Sequence, residues 1–150
     1  MPKLSLLLLS AVVAACTSAP PPSAASSASA DMAPAGFPVR TYTTTIVAGD
    51  LPAGAPADMR DAIVGPWEIA FGSNGHALVT YNGRQMVDAP FTVNGNQLVM
   101  GADDTGEYAC HSAARYTWHA TSTELHLVRV EDSCDGRPVV LTAHPLVVRR

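Results

Sequence analysis

From residue 67 onward, apolar and polar positions alternate with a period of two. Trp67, Ile69 and Phe71 fall on one face and Glu68 and Ala70 on the other, as in a pleated strand with one buried side. Ser73-Asn74-Gly75 reads as a turn, after which Ala77, Val79 and Tyr81 resume the buried face. Asn82-Gly83 is a hairpin signal, because a tight two-residue connection needs positive φ at its centre. Residues 85–88 and 91–93 read as strand on either side of Pro90, whose missing N–H suits an edge or a bulge. Asn94-Gly95-Asn96 leads into a strand at 97–100, and a turn at 103–106 into one at 107–110. Residues 115–120 and 124–130 make a further hairpin, and strands at 138–142 and 146–149 finish the chain. Upstream, 41–47 is rich in β-branched residues and reads as an edge strand or lead-in arm. Asp58 is expected to cap a single helical turn over 59–64, ended by Gly65-Pro66.

Turn signals every 8–12 residues and no long helical pattern predict an all-β fold. About eight short strands in sequence predict a small antiparallel up-and-down β-barrel. Closure removes the exposed sheet edges and leaves an interior sized for side chains or one small ligand.

The first 40 residues do not follow this pattern. Lys3 precedes a short apolar run over 4–15, too short for a permanent span, which needs about 20 residues, and suited to an export signal. Val13-Ala14-Ala15-Cys16 resembles the bacterial lipobox, in which small residues precede a cysteine that becomes the lipidated N-terminus. The resemblance implies a signal peptide at 1–15 and lipid attachment at Cys16. Residues 17–40 then hold five Pro, seven Ala and five Ser among 24. That composition lacks the apolar surface to offset chain entropy, and the Pro20-Pro21-Pro22 run favours extended polyproline II. The expected organisation is signal (1–15), lipidated tether (16–40) and barrel domain (41–150).

Charge narrows the function. The chain carries 9 Lys+Arg against 13 Asp+Glu. Removing residues 1–15 takes away the only lysine and leaves 8 − 13 = −5. That balance argues against nucleic acid, whose partners carry basic patches. With Cys16 assigned to lipid, Cys110 and Cys134 remain, an even pair in an exported domain, and a disulfide is expected. A metal site with His111 or a reactive thiol lacks the spacing such sites use.

Two segments resemble known proteins. Gly65-Pro66-Trp67-Glu68 resembles the G-x-W motif that opens the first strand of lipocalins and related calycin barrels. Tyr116-Thr117-Trp118, Leu125-His126-Leu127 and Asp132-Ser133-Cys134-Asp135-Gly136-Arg137 are similar to a Y-x-W, L-x-L, D-x-C-x-x-R pattern of bacterial lipocalin-like secreted proteins. The resemblance spans about residues 65–150. It implies that Trp67 plugs one end of the barrel and that a late arginine, Arg137 before Arg149, stacks over it, a contact with a cation–π rationale. Ser112-Ala113-Ala114-Arg115-Tyr116 resembles the Ser-Gly-x-x-Tyr loop of lipoprotein lysozyme inhibitors, with Ala113 in the glycine's place.

No converging catalytic set stands out. His76, His111, His119, His126 and His144 are scattered, although His119 and His126 share one hairpin. Asp103-Asp104 and Glu131-Asp132 read as turn or strand-end carboxylates. No G-x-S-x-G or phosphate loop occurs. The expectation is a non-enzyme without metal or cofactor. Phe71, Val79, Tyr81, Phe91, Tyr116 and Trp118 are the large alternating residues that either fill the core or line an apolar ligand pocket. The leading reading is a membrane-anchored lipocalin-like module of the bacterial cell envelope, facing the periplasm or exterior, for a small hydrophobic ligand. The alternatives are an envelope protein-binding module, such as a lysozyme or hydrolase inhibitor, and a structural lipoprotein.

Overall fold

A computed structural model describes residues 36–102 and 105–150. The signal segment, Cys16, nearly all of the tether and the Asp103-Asp104 pair lie outside the described residues. Eight antiparallel strands close in sequence order: β1 (Thr41–Ile46), β2 (Gly65–Phe71), β3 (His76–Tyr81), β4 (Arg84–Asn94), β5 (Gln97–Met100), β6 (Ala114–Ala120), β7 (Glu124–Glu131) and β8 (Leu146–Val148). Two short helices interrupt them, α1 (Ala57–Ile63) between β1 and β2, and α2 (Gly136–Thr142) between β7 and β8. The all-β, up-and-down barrel is therefore the architecture of the chain.

The ladder explains the closure. β1 pairs with β2 along its length and with β8 through Tyr42 and Thr43. It is the closing strand rather than an edge or lead-in arm. β4 is one continuous strand, not two. Pro90 sits where β4 leaves the β3 ladder and joins the β5 ladder, so its missing N–H breaks neither. Its carbonyl still accepts the Gly101 N–H at 2.7 Å.

Three expected elements differ. Residues 107–110 are loop, not strand. This loop lies along β4, where Asp88 and Thr105 exchange backbone hydrogen bonds at 2.9 Å. Gly106, at φ +121°, comes so close that a Cβ would fall 2.0 Å from the Met86 carbonyl oxygen. Residues 138–142 are helix, not strand. Pro138 lies in the first helical turn, where N–H groups have no intrahelical acceptor and the fixed φ is helical. Burial of Val139, Val140 and Leu141 then outweighs the strand preference of the two β-branched valines. Helix α1 starts at Ala57 after Pro56, so Asp58 lies in its first turn and makes no cap hydrogen bond.

The connections divide into two ends. The mouth carries the β1–β2, β3–β4, β5–β6 and β7–β8 connections, including both helices. The base carries the three remaining turns and the entering chain. Phe37, inside the stretch read as tether, is 5% exposed. Its ring packs against Phe71, Phe91 and Trp118 at centroid distances of 5.1, 5.6 and 5.2 Å. This aromatic group corks the base, so the folded unit begins at least four residues before β1.

Candidate ligand site at the barrel mouth

With the base packed, open space remains at the mouth. A cavity of about 840 Å³ enters the barrel beneath the two helices. Its inner walls are Trp67 and Ile69 from β2, Val79 from β3, Val87 and Ala89 from β4, and Met100 from β5. Its roof is Met59, Ala62 and Ile63 of α1 with Val140 and Leu141 of α2. The helices meet because Gly136 has no side chain: a Cβ there would lie 2.8 Å from Ile63 Cδ1. Tyr108, the Cys110–Cys134 disulfide, Arg129, Asp132 and Arg137 border the cavity on the β7 side.

The G-P-W segment shapes one wall. Gly65 has φ +146°, and a Cβ on it would lie 2.7 Å from the Tyr81 ring. The bare glycine lets that ring cross over the strand and donate its hydroxyl to the Val64 carbonyl at 2.7 Å. Tyr81 then packs on Trp67, centroids 4.8 Å apart, while Trp67 Nε1 donates to the Ile63 carbonyl at 2.7 Å. Trp67 is thereby locked between α1 and β3, with one surface left to the cavity.

The polar wall is a network around Asp132. Its side chain is fully buried and Arg137 is 9% exposed. Arg137 Nε donates to Oδ2 at 2.8 Å and Nη2 to Oδ1 at 2.9 Å. The Cys134 N–H donates to Oδ1 at 2.9 Å, and the buried Tyr116 hydroxyl donates to Oδ2. Arg137 Nη2 also reaches the Ser112 carbonyl at 2.8 Å. Burial opposes ionisation of Asp132, but the donors from Arg137, Tyr116 and Cys134 outweigh it and hold the carboxyl below its ordinary range. Tyr116 moves the other way: burial first, then the hydrogen bond and charge of Asp132, push its phenol far above its ordinary value. The network therefore holds an ionised carboxylate and a neutral phenol. Both are spent on fixing the β5–β6 loop, β6, β7 and α2 to one another.

The residues singled out from the sequence separate along the barrel axis. Of the six expected pocket residues, Val79 alone lines the cavity. Phe71, Phe91 and Trp118 belong to the base cork, Tyr81 backs Trp67, and Tyr116 is sealed against Asp132. Alternation assigns them to the inner face correctly, but all except Val79 lie too deep or too tightly packed to meet a ligand. Trp67 and Arg137 both border the mouth cavity. The ring of Trp67 packs on Tyr81 in a tilted arrangement, and the guanidinium of Arg137 is held by Asp132 and Ser112. Cys110 and Cys134 are joined, S–S 2.02 Å. With Ala114 and Tyr116 buried, Ala113 and Arg115 are the exposed residues of the Ser112–Tyr116 segment.

The sequence reading missed Ile69, Val87, Ala89 and Met100 as wall residues, and the helical roof altogether. The histidines are spread over the surface. His76 pairs with Asp88 at 2.8 Å and His144 with Asp50 at 2.9 Å. The Val47 N–H and then His144 hold Asp50 below its ordinary pKa. Among the described residues, no group of three His, Cys, Asp or Glu side chains is arranged to hold a metal ion. Comparison of the chain with protein-family models, with curated proteins and with solved structures finds no match.

Proposed function

We propose that this protein is a lipid-anchored binding module of the bacterial cell envelope that takes a small, predominantly apolar molecule into the mouth of its barrel. The observation that carries this reading is the cavity of about 840 Å³, walled by aliphatic and sulfur side chains and Trp67. Its size lies in the range of small-molecule sites, about 300–1,000 Å³, and its polar lining is concentrated on the β7 side, at Arg129, Asp132, Ser133, Asp135 and Arg137, where it can orient a ligand. The lipobox-like Cys16 supports the anchor. A binding role fits better than a catalytic one, because the one buried carboxylate at the cavity has its acceptor positions filled by Arg137, Tyr116 and Cys134.

The test uses N-phenyl-1-naphthylamine, an uncharged apolar fluorophore, titrated into the full chain. The reading expects saturable, one-site enhancement of its fluorescence, with transfer from Trp67. Ala89→Leu, which fills the cavity from the β4 wall, should weaken binding at least tenfold while the thermal midpoint is kept. Absence of saturable binding, or equal binding by the filled variant, would overturn it.

A further inference from the structure

Away from the mouth, the outer face of the β6–β7 hairpin holds a second arrangement. His119 and His126 stand directly opposite each other in the ladder. Their imidazoles are stacked, with ring centroids 4.3 Å apart and planes 25° from parallel. His119 is exposed and His126 partly so. Two residues before His126, on the same outward face, Glu124 accepts a hydrogen bond from His126 Nε2 at 3.0 Å. Glu124 is itself tied to the turn: its N–H donates to Thr121 Oγ1 at 3.0 Å, and its carbonyl accepts the Thr121 N–H at 2.8 Å.

We propose that His119 and His126 form a two-imidazole chelate for a borderline divalent cation, with Glu124 as the group that orients His126. Three features lead there. First, the strand ladder holds the two imidazoles side by side, so little chain entropy is lost on chelation. Two nitrogens on one ion at about 2.05 Å stand about 3.3 Å apart in a tetrahedral arrangement; because a ring nitrogen's lone pair lies in the ring plane, the imidazoles stacked at 4.3 Å reach that by turning out of the stack about their χ angles until both lone pairs converge on the ion. Second, a metal-bound histidine characteristically gives its other ring N–H to a carboxylate, which fixes the tautomer and raises ligand basicity. Glu124 does this for His126: it takes the Nε2 proton and leaves the Nδ1 lone pair to the ion. Third, the face is open to water, which completes the coordination shell. The carboxylate is thus an orienting group and not a third ligand, consistent with the lack of a three-ligand cluster. Imidazole donors suit Zn²⁺, Ni²⁺ and Cu²⁺, and the general affinity order puts Cu²⁺ first.

This site is independent of the mouth cavity. The test is a titration of the full chain with CuCl₂ and, separately, ZnCl₂ at pH 7.4, followed by calorimetry and, for copper, by electron paramagnetic resonance. One equivalent of Cu²⁺ should bind with hyperfine structure from two imidazole nitrogens. His119→Ala and His126→Ala should each lower affinity at least tenfold. Glu124→Gln should lower it by about 10–100-fold, the range for lost orienting partners, while keeping the two-nitrogen signature. His111→Ala and Cys16→Ala should leave the same equivalent in place. His111, His119, Glu124 and His126 are exposed or partly exposed, Cys16 lies outside the described residues, and thermal midpoints confirm folding. Absence of binding, or binding that survives loss of both His119 and His126, would overturn the proposal.

Discussion

Arg137 meets Asp132 side-on, Nε to Oδ2 at 2.8 Å and Nη2 to Oδ1 at 2.9 Å, with the carboxylate fully buried. The pair joins the end of β7 to the start of α2 and, through Ser112 and Tyr116, to the β5–β6 loop and β6. Removing one member of such a pair leaves a buried charge without its partner. Arg137→Met should therefore cost about 3–5 kcal/mol, read as a fall in urea midpoint. The double variant with Asp132→Leu should be less destabilised than Arg137→Met alone. A single variant within about 1 kcal/mol of wild type would show that the pair does not tie the mouth together.

The network also sets a pH dependence. Asp132 has a folded pKa below its ordinary 3.8. Its contribution to stability is complete above the unfolded value and is lost as pH falls through the lower folded value. Tyr116 has a folded pKa above its ordinary 10.0. Its contribution is complete below that value and is lost as pH rises beyond it. Tyr116→Phe should lower stability at neutral pH by about 1.5–3 kcal/mol, the range for hydrogen bonds to charged groups. It should also flatten the alkaline fall. Urea midpoints measured across pH in both proteins check this; an alkaline branch unchanged in the variant would contradict it.

Gly65 and Gly106 are required for different contacts. At Gly65 a methyl group would strike the Tyr81 ring, and at Gly106 it would strike the Met86 carbonyl. Both residues have positive φ, which adds backbone strain. A side chain can give way where backbone cannot, so Gly106→Ala should destabilise more than Gly65→Ala. Gly65→Ala should in addition shift Trp67 fluorescence as Tyr81 is displaced. Thermal unfolding and emission spectra check both. An unchanged emission maximum in Gly65→Ala would separate Tyr81 from Trp67.

The base cork makes a separate prediction. Phe37→Ala should cost about 3–5 kcal/mol, as for other buried phenylalanines. A chain starting at residue 41 should fold less stably by a similar amount. Equal stability of the shortened and full chains would place Phe37 outside the folded unit.

Reducing the Cys110–Cys134 bond should cost about 3 kcal/mol, since it closes a loop with a sequence separation of 24. The strands themselves do not depend on it, because Asp132 still receives the Cys134 N–H and Arg137. Circular dichroism should keep its β signature after reduction while the urea midpoint falls. Loss of the β spectrum at low urea would contradict this.

The strand order and the inner face were legible in the sequence because they follow from a period of two and from Asn-Gly and Ser-Asn-Gly turns. Period reveals which face a residue occupies but not its height along the barrel. Phe91 and Val87 share the inner face of β4, yet Phe91 packs into the base and Val87 reaches the cavity. The expected pocket took the large aromatics, which barrels use to fill space, and passed over small Ala89, whose size leaves the space open. Helix α2 was hidden because Val139-Val140-Leu141 has strand-like chemistry and its burial is a tertiary effect. Pro138 in the first turn was the available signal for a helix. Asp132 was legible only as part of the Asp-x-Cys-x-x-Arg spacing. Its role depends on Tyr116 arriving from β6, which spacing along one strand cannot show.

Native mass spectrometry of the full chain, extracted under non-denaturing conditions from the cells that produce it, tests the central claim most directly. The account predicts a stoichiometric apolar adduct of small mass on the folded protein, displaced by N-phenyl-1-naphthylamine and missing from the Ala89→Leu variant. A folded protein that carries no adduct and binds no apolar probe would contradict it, as would an adduct of undiminished occupancy in the filled variant.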